Sequence, residues 1–160
     1  MKSLFVKKMT ALAMALLFLA ATSVTRAEAA PTPDLTQAQI EAVLEDAFAG
    51  LIAFDAPRVL QHFAEDAVLE DPVGTPAMEG KQAIAAYLAT FPTIFSHMKL
   101  YSLDIKVGGQ EAGVKWRIRF TTKSGNTFFL DGIGYFKFNH DGKIQNEKEF
   151  FDLAYFLSQL

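Results

Sequence analysis

Hydrophobic positions change period along the chain, dividing it into a helical first part and a stranded second part. Ile40, Val43, Leu44, Ala47 and Leu51 recur at helical spacing. They follow Thr36-Gln37-Ala38-Gln39, where the Thr hydroxyl and the Gln amide make a capping box. This predicts a first helix running to about Ala53. Asp55 caps a second, short helix with Pro57 in its first turn and Val59, Leu60 and Phe63 as its buried stripe. Ala67 to Asp71 reads as a short strand. Pro72-Val73-Gly74-Thr75-Pro76 must be a loop, because its prolines and glycine break either period. Lys81 to Phe91 is expected to form a third helix, stopped by Pro92.

From Leu103 onward the period is two. Leu103, Ile105 and Val107 alternate with polar residues, Gly108-Gly109 turns the chain, and Val114, Trp116, Ile118 and Phe120 alternate with Lys115, Arg117 and Arg119. Strict alternation marks antiparallel strands with one buried face. Ser124-Gly125-Asn126 is the next turn. Thr127 to Asn139 is apolar on both faces, with Phe128, Leu130, Phe136 and Phe138 on one and Phe129, Ile133 and Tyr135 on the other. His140-Asp141-Gly142 makes a hairpin into Ile144–Phe151, and Asp152 caps a short C-terminal helix. Helices followed by hairpin-linked strands imply an α+β fold, with the helices gathered on one side of a curved sheet.

The first 29 residues stand apart from this pattern. Lys2, Lys7 and Lys8 precede an apolar run from Met9 to Ala21, and Ala27-Glu28-Ala29 offers a small-x-small cleavage site. That is the pattern of a secretory signal peptide. Cleavage near Ala29 is expected to leave one domain, residues 30–160, in a secreted or periplasmic location. The uncharged run is short for a membrane span. Without Lys2, Lys7, Lys8, Arg26 and Glu28 the charge falls from −3 to −6. An acidic domain without a basic block is a poor partner for nucleic acid or anionic membrane. The chain has no cysteine, which removes thiol nucleophiles and Cys-ligated metal.

Familiar catalytic motifs are missing. His62, His97 and His140 lack metal-ligand spacing, and Gly132-Ile133-Gly134 sits inside a strand pattern, where a glycine pair reads as relief at a sheet bend. An Asp before proline, as at Asp71, is either a turn initiator or a carboxylate leaving its strand in a fixed direction.

Phe63-Ala-Glu-Asp-Ala-Val-Leu-Glu-Asp-Pro-Val-Gly-Thr-Pro, then Met78-Glu79-Gly80-Lys81-Gln82-Ala83-Ile84-Ala85-Ala86-Tyr87, then Lys137–Ile144 and the Phe150-Phe151 ending carry a family likeness. They resemble the SnoaL-like and ketosteroid isomerase-like branch of the NTF2-like superfamily. The resemblance implies a cone of three N-terminal helices on a curved mixed or antiparallel sheet, with a short C-terminal helix. It places Asp71 on the family's catalytic base. It also exposes departures. Steroid isomerases hold their oxyanion with a Tyr and a protonated Asp, and the corresponding positions are Ala47 and Gly134. Losing even one such donor typically costs about 3–4 kcal/mol of transition-state stabilisation, so ketosteroid isomerisation is not expected.

Other groups are candidates for the site. Glu147 and Glu149 share a face with Phe151, and Glu149 is either a second catalytic carboxylate or a solvated residue on an edge strand. Tyr87 is a hydrogen-bond donor at the pocket rim or plain core. Trp116 is a ligand wall or an outer-face residue. The resulting expectation is an apolar pocket lined by Phe48, Leu69, Tyr87, Leu130, Phe136 and Phe151, with Gly132 and Gly134 giving room. It would bind a small, cyclic, apolar ligand, with Asp71 and Glu149 doing acid–base chemistry without cofactor or metal: isomerisation, cyclisation, dehydration or epoxide opening. The alternatives are a non-catalytic binding module and a protein-interaction module. The apolar outer stripe of the Thr127–Asn139 strand further predicts a homodimer.

Overall fold

The capping box forms as the sequence requires: Gln39 N–H donates to Thr36 Oγ1 at 3.3 Å, and Thr36 N–H donates to Gln39 Oε1 at 2.9 Å. It starts α1 (Gln37–Ile52) in a computed structural model that describes residues 34–160. The predicted leader and Pro31-Thr32-Pro33 lie outside the described residues. Asp55 accepts from Arg58 N–H at 3.1 Å and caps α2 (Ala56–Leu60). Next come β1 (Phe63–Glu70), β2 (Met78–Glu79), α3 (Lys81–Leu88) and α4 (Phe91–Ile94). Four strands follow, β3 (Phe95–Gly108), β4 (Glu111–Thr122), β5 (Thr127–Phe138) and β6 (Ile144–Phe150). Asp152 accepts from Tyr155 N–H at 2.8 Å and caps α5 (Leu153–Ser158).

The strands form one curved, unclosed mixed sheet in the order β2-β1-β6-β5-β4-β3. β1 runs parallel to β6, and every other pair is antiparallel. Alternation decides the faces. On β4, Ala112, Val114, Trp116, Ile118 and Phe120 are buried beneath the helices, as are Phe128, Leu130, Phe136 and Phe138 on β5. Phe129 and Ile133 of β5, with Phe150 of β6, stay exposed on the outer face. α5 closes one end of the cone from inside, where Phe156 packs against Phe95, Phe120, Phe128 and Phe151 with ring centroids 5.6–6.1 Å apart. It does not cover the outer stripe.

Three element boundaries differ from the sequence reading. Phe63 opens β1, paired with Ile144, instead of ending the stripe of α2. An apolar residue so placed satisfies both periods, and the β1–β6 register shift between Phe63 and Val68 hides the strand's alternation. β3 begins at Phe95, well before Leu103, because bulges between Phe95 and His97 and between Leu100 and Ser102 interrupt its period. The third helix stops at Leu88, and Pro92 sits in the first turn of α4 rather than beyond a helix end, a position where a missing N–H costs nothing.

Gly132 pairs with Trp116 across the β4–β5 ladder. A Cβ built on Gly132 would overlap the six-membered ring of that indole. Gly132→Ala is therefore expected to destabilise the fold by about 1–3 kcal/mol through overpacking, measured by chemical denaturation. An unchanged midpoint would mean that the indole has room to move aside.

Candidate active site

The helices and the inner face of the sheet enclose a cavity of about 90 Å³. At about 10–15 Å³ per water that is room for roughly six to nine waters. Ala47, Phe48 and Leu51 of α1 form one wall, Tyr87 and Leu88 of α3 and Phe91 of α4 another, and Trp116, Ile118, Leu130 and Phe136 the sheet side. Phe151 and Phe156 close the end. Into this apolar lining project three carboxyl groups, from Asp71, Glu147 and Glu149, and no Lys, Arg or His side chain. Among the described residues no group of three or more His, Cys, Asp or Glu side chains is arranged to hold a metal ion.

Asp71 leaves the end of β1 at a cis peptide bond to Pro72. The loop after it is tied to the opposite strand, since Val73 N–H donates to the Glu149 carbonyl at 2.8 Å. The Asp71 carboxylate accepts a hydrogen bond from Tyr87 Oη at 2.9 Å. Burial pushes Asp71 up to about 6, against the pull of that hydrogen bond. Tyr87 is raised in turn, first by burial and then by the Asp71 charge, so it remains a neutral donor.

Glu149 is 6% exposed and is held by Trp116, whose Nε1–H donates to Oε2 at 2.7 Å. Burial and the nearby Asp71 charge push Glu149 up to about 8, although hydrogen bonds from Trp116 and Glu147 favour its ionised form. Glu147 is raised well above the ordinary glutamate range by burial, then by Glu149 and Asp71.

The residues expected in the pocket are distributed as follows. Phe48, Leu69, Tyr87, Leu130, Phe136 and Phe151 line the cavity together with Asp71 and Glu149. Gly132 and Gly134, expected to give room to a ligand, do not line it. The space above Gly132 is taken by the Trp116 ring, and a Cβ on Gly134 would lie 2.5 Å from Glu149 Oε1. The carboxyl that Gly134 lacks is thus supplied from the neighbouring strand. Ala47 reaches the cavity with no donor. Trp116 lies on the inner face, which resolves its two readings. Glu147 was visible only as a residue in phase with Glu149, and the missing signal was the apolar neighbourhood that β1 and α3 bring over β6. His62 is outside the site, 2.7 Å from Asp46, whose carboxylate also pairs with Arg58.

Raised carboxyl pKa values carry a sign for stability. Between the ordinary values of 3.8 and 4.5 and the folded values of about 6 and 8, the folded chain binds more protons than the unfolded one. Stability supplied by these groups is present at low pH and is lost as pH rises through that window. The thermal midpoint is expected to fall between about pH 4.5 and 8. Glu149→Gln should flatten the fall and melt above the parent at the upper end. A midpoint rising through that range would mean that the carboxylates are solvated.

The architecture is shared with solved structures. An NTF2-like protein of unknown function from Burkholderia pseudomallei is 20% identical, with a TM-score of 0.68 over 76% of this chain and 96% of that chain. TerC, co-crystallised with polyporic acid, is 22% identical, with a TM-score of 0.68 over 76% of this chain and 97% of its own. SalBIII, described as an epoxide hydrolase/cyclase-like enzyme in pyran ring formation in the polyether salinomycin, is 20% identical. Its TM-score is 0.63, covering 73% of this chain and 93% of that chain. At these identities the likeness speaks for the fold alone. The family model of the SnoaL-like domain matches residues 42–147, the span from α1 through Glu147 that builds the cone and most of its cavity, and the chain belongs to the SnoaL-like family.

Proposed function

We propose that the cavity binds a small, neutral, largely apolar cyclic molecule and performs acid–base chemistry on it without a cofactor. Asp71 is the general base and Glu149 the general acid. The observation that carries this reading is the pair itself: two carboxyls in one apolar cavity, held near 6 and near 8. Between those values Asp71 is ionised and can accept a proton while Glu149 still has one to give. Divergent carboxyl environments of this sort are how one site supplies both roles. Asp71 takes the proton of a hydroxyl or an activated C–H, and Glu149 delivers one to a leaving or carbonyl oxygen. Ring closure and epoxide opening fit this division best. Ketosteroid isomerisation fits poorly, since Ala47 offers no donor at the oxyanion position.

That same alanine favours a second reading, binding without turnover. The two readings separate on a panel of neutral cyclic epoxides, hydroxy-epoxides and ketones. Asp71→Asn is expected to lower turnover by roughly 10²–10⁴-fold and to remove the acidic limb of the pH–rate profile. A profile insensitive to that substitution would overturn the base. A retained ligand in native mass spectrometry, with no turnover across the panel, would favour the binding module.

Export with cleavage near Ala29 and pairing into a homodimer belong to the same proposal. Support for the dimer comes from the outer face, where Tyr101, Phe129, Ile133 and Phe150 are 45–55% exposed. Tyr101 and Phe129 stack edge to face at 5.1 Å, and Ile133 pairs with Phe150 across β5 and β6. Sedimentation at micromolar concentration is expected to give a dimer that Ile133→Asp dissociates. A monomer unaffected by that change would exclude it.

A further inference from the structure

Glu147 has no part in the chemistry proposed so far, yet it lines the same cavity as Asp71 and Glu149, and burial raises its carboxyl well above the ordinary glutamate range. It stands two residues from Glu149 on β6, so strand alternation puts both on the inner face. It lies between Leu69 of β1 and Phe136 of β5 in the ladder, two apolar neighbours. Both carboxyls line the cavity, and their mutual influence raises Glu147 and lowers Glu149, the sense that favours a protonated Glu147 beside an ionised Glu149. Lys148, between them in sequence, pairs with Glu70 at 2.7 Å.

We infer that Glu147 is a positioning residue for Glu149: its O–H donates to the Glu149 carboxyl and stabilises the charge left there when Glu149 passes its proton to a ligand oxygen. The inference rests on the reading of Glu149 as the acid of the site. In the step, the Glu149 O–H bond breaks, a new O–H bond forms on the ligand oxygen, and the electron pair stays on Glu149. Glu147 keeps its own proton throughout and shares it with the new carboxylate. Trp116 Nε1–H, at 2.7 Å, donates to the same carboxylate from the other side. A buried carboxylic acid whose conjugate base holds two such donors gives up its proton more readily than one whose conjugate base holds none. α1 presents Ala47, Phe48 and Leu51, α3 presents Tyr87, α4 presents Phe91, α5 presents Phe156 and β5 presents Leu130 and Phe136. Beyond the pair itself, the titratable groups facing it are therefore Asp71, which opposes ionisation of Glu149, and Tyr87, which donates to Asp71.

The test reads protons, not turnover. The full chain is labelled with ¹³C at the glutamate carboxyls, and Glu147→Gln and Glu149→Gln assign the two resonances. Trp116, the only tryptophan, gives a second reporter through its indole N–H. Glu147 is expected to be protonated at pH 7, and Glu149 to titrate near 8. Glu147→Leu, which removes the donor, should raise the Glu149 midpoint by about one pH unit or more. Glu147→Gln keeps an N–H donor and should hold the midpoint within about half a unit. A Glu149 midpoint unmoved in the leucine variant would overturn the inference. So would a Glu147 that ionises in the ordinary glutamate range in the unmodified chain, a result that needs no variant to fold beyond the glutamine used for assignment. Failure of the Asp71→Asn experiment would strike the proposed catalysis and leave these titrations where they are.

Discussion

Trp116 stands on β4 and Glu149 on β6, with β5 between them, so a hydrogen bond joining the two must cross an intervening strand. It does so because β5 carries no side chain on the inner face at Gly132, opposite Trp116, or at Gly134, opposite Glu149. The indole lies over the first gap, and the carboxyl lies over the second. Two consecutive inward positions without a Cβ are a liability in an ordinary strand, where glycine loses more entropy on folding than any other residue and packs against nothing. Here that cost is offset by a buried aromatic and by a charge-capable hydrogen bond that fixes Glu149.

Fixing the carboxyl does not make it comfortable. Ionised groups in apolar surroundings are tolerated when an opposite charge or several donors accompany them. Asp71 has Tyr87, Glu149 has Trp116 and Glu147, and none has a cation. The protein meets the penalty by keeping protons on, which is why the shifts are upward throughout. Such a site costs stability in the pH range where the proposed acid–base chemistry would run, the usual trade between a functional site and a well-packed fold. Phe95, Phe120, Phe128 and Phe156, clustered at the closed end of the cone, supply apolar burial away from the acids.

Much of this was legible in the sequence, and the legible part has a common cause. Caps at Thr36, Asp55 and Asp152 act within a few residues, and alternation on β4 and β5 needs only the pleat. Both survive folding unchanged. The cone itself followed from the resemblance carried by the stretch around Asp71. What stayed hidden depends on pairings distant along the chain. The start of β3 was masked by bulges whose register is set by β4. The inward aim of Trp116 could not be read from alternation alone, since a strand pattern does not say which face is covered. Glu149 looked like either an edge or a pocket residue because nothing local reveals that β1 runs parallel beside β6 and makes it an interior strand of the sheet. A glycine pair such as Gly132 and Gly134 reads in the sequence as space. The space exists, but the chain's own indole and carboxyl occupy it.

That last point changes how the absent oxyanion donors should be weighed. A steroid-isomerase-like site needs a neutral acid projecting from the strand at the position of Gly134, and read along that one strand the position is empty. In three dimensions a carboxyl does occupy the place, reaching over Gly134 from β6, and it is held protonated to about pH 8. A carboxylic acid at that spot differs in two ways from one rooted on β5. It approaches across the strand instead of along it, and its second oxygen is already committed to Trp116. It can therefore present one acidic oxygen in one direction, with its conjugate base stabilised from behind, while the wall that would flank a planar dienolate at Ala47 offers only a methyl group. Such geometry suits delivering a single proton to one oxygen better than cradling a delocalised oxyanion between two donors. On that ground ring closure or ring opening, rather than enolisation, is the chemistry we propose for the cavity.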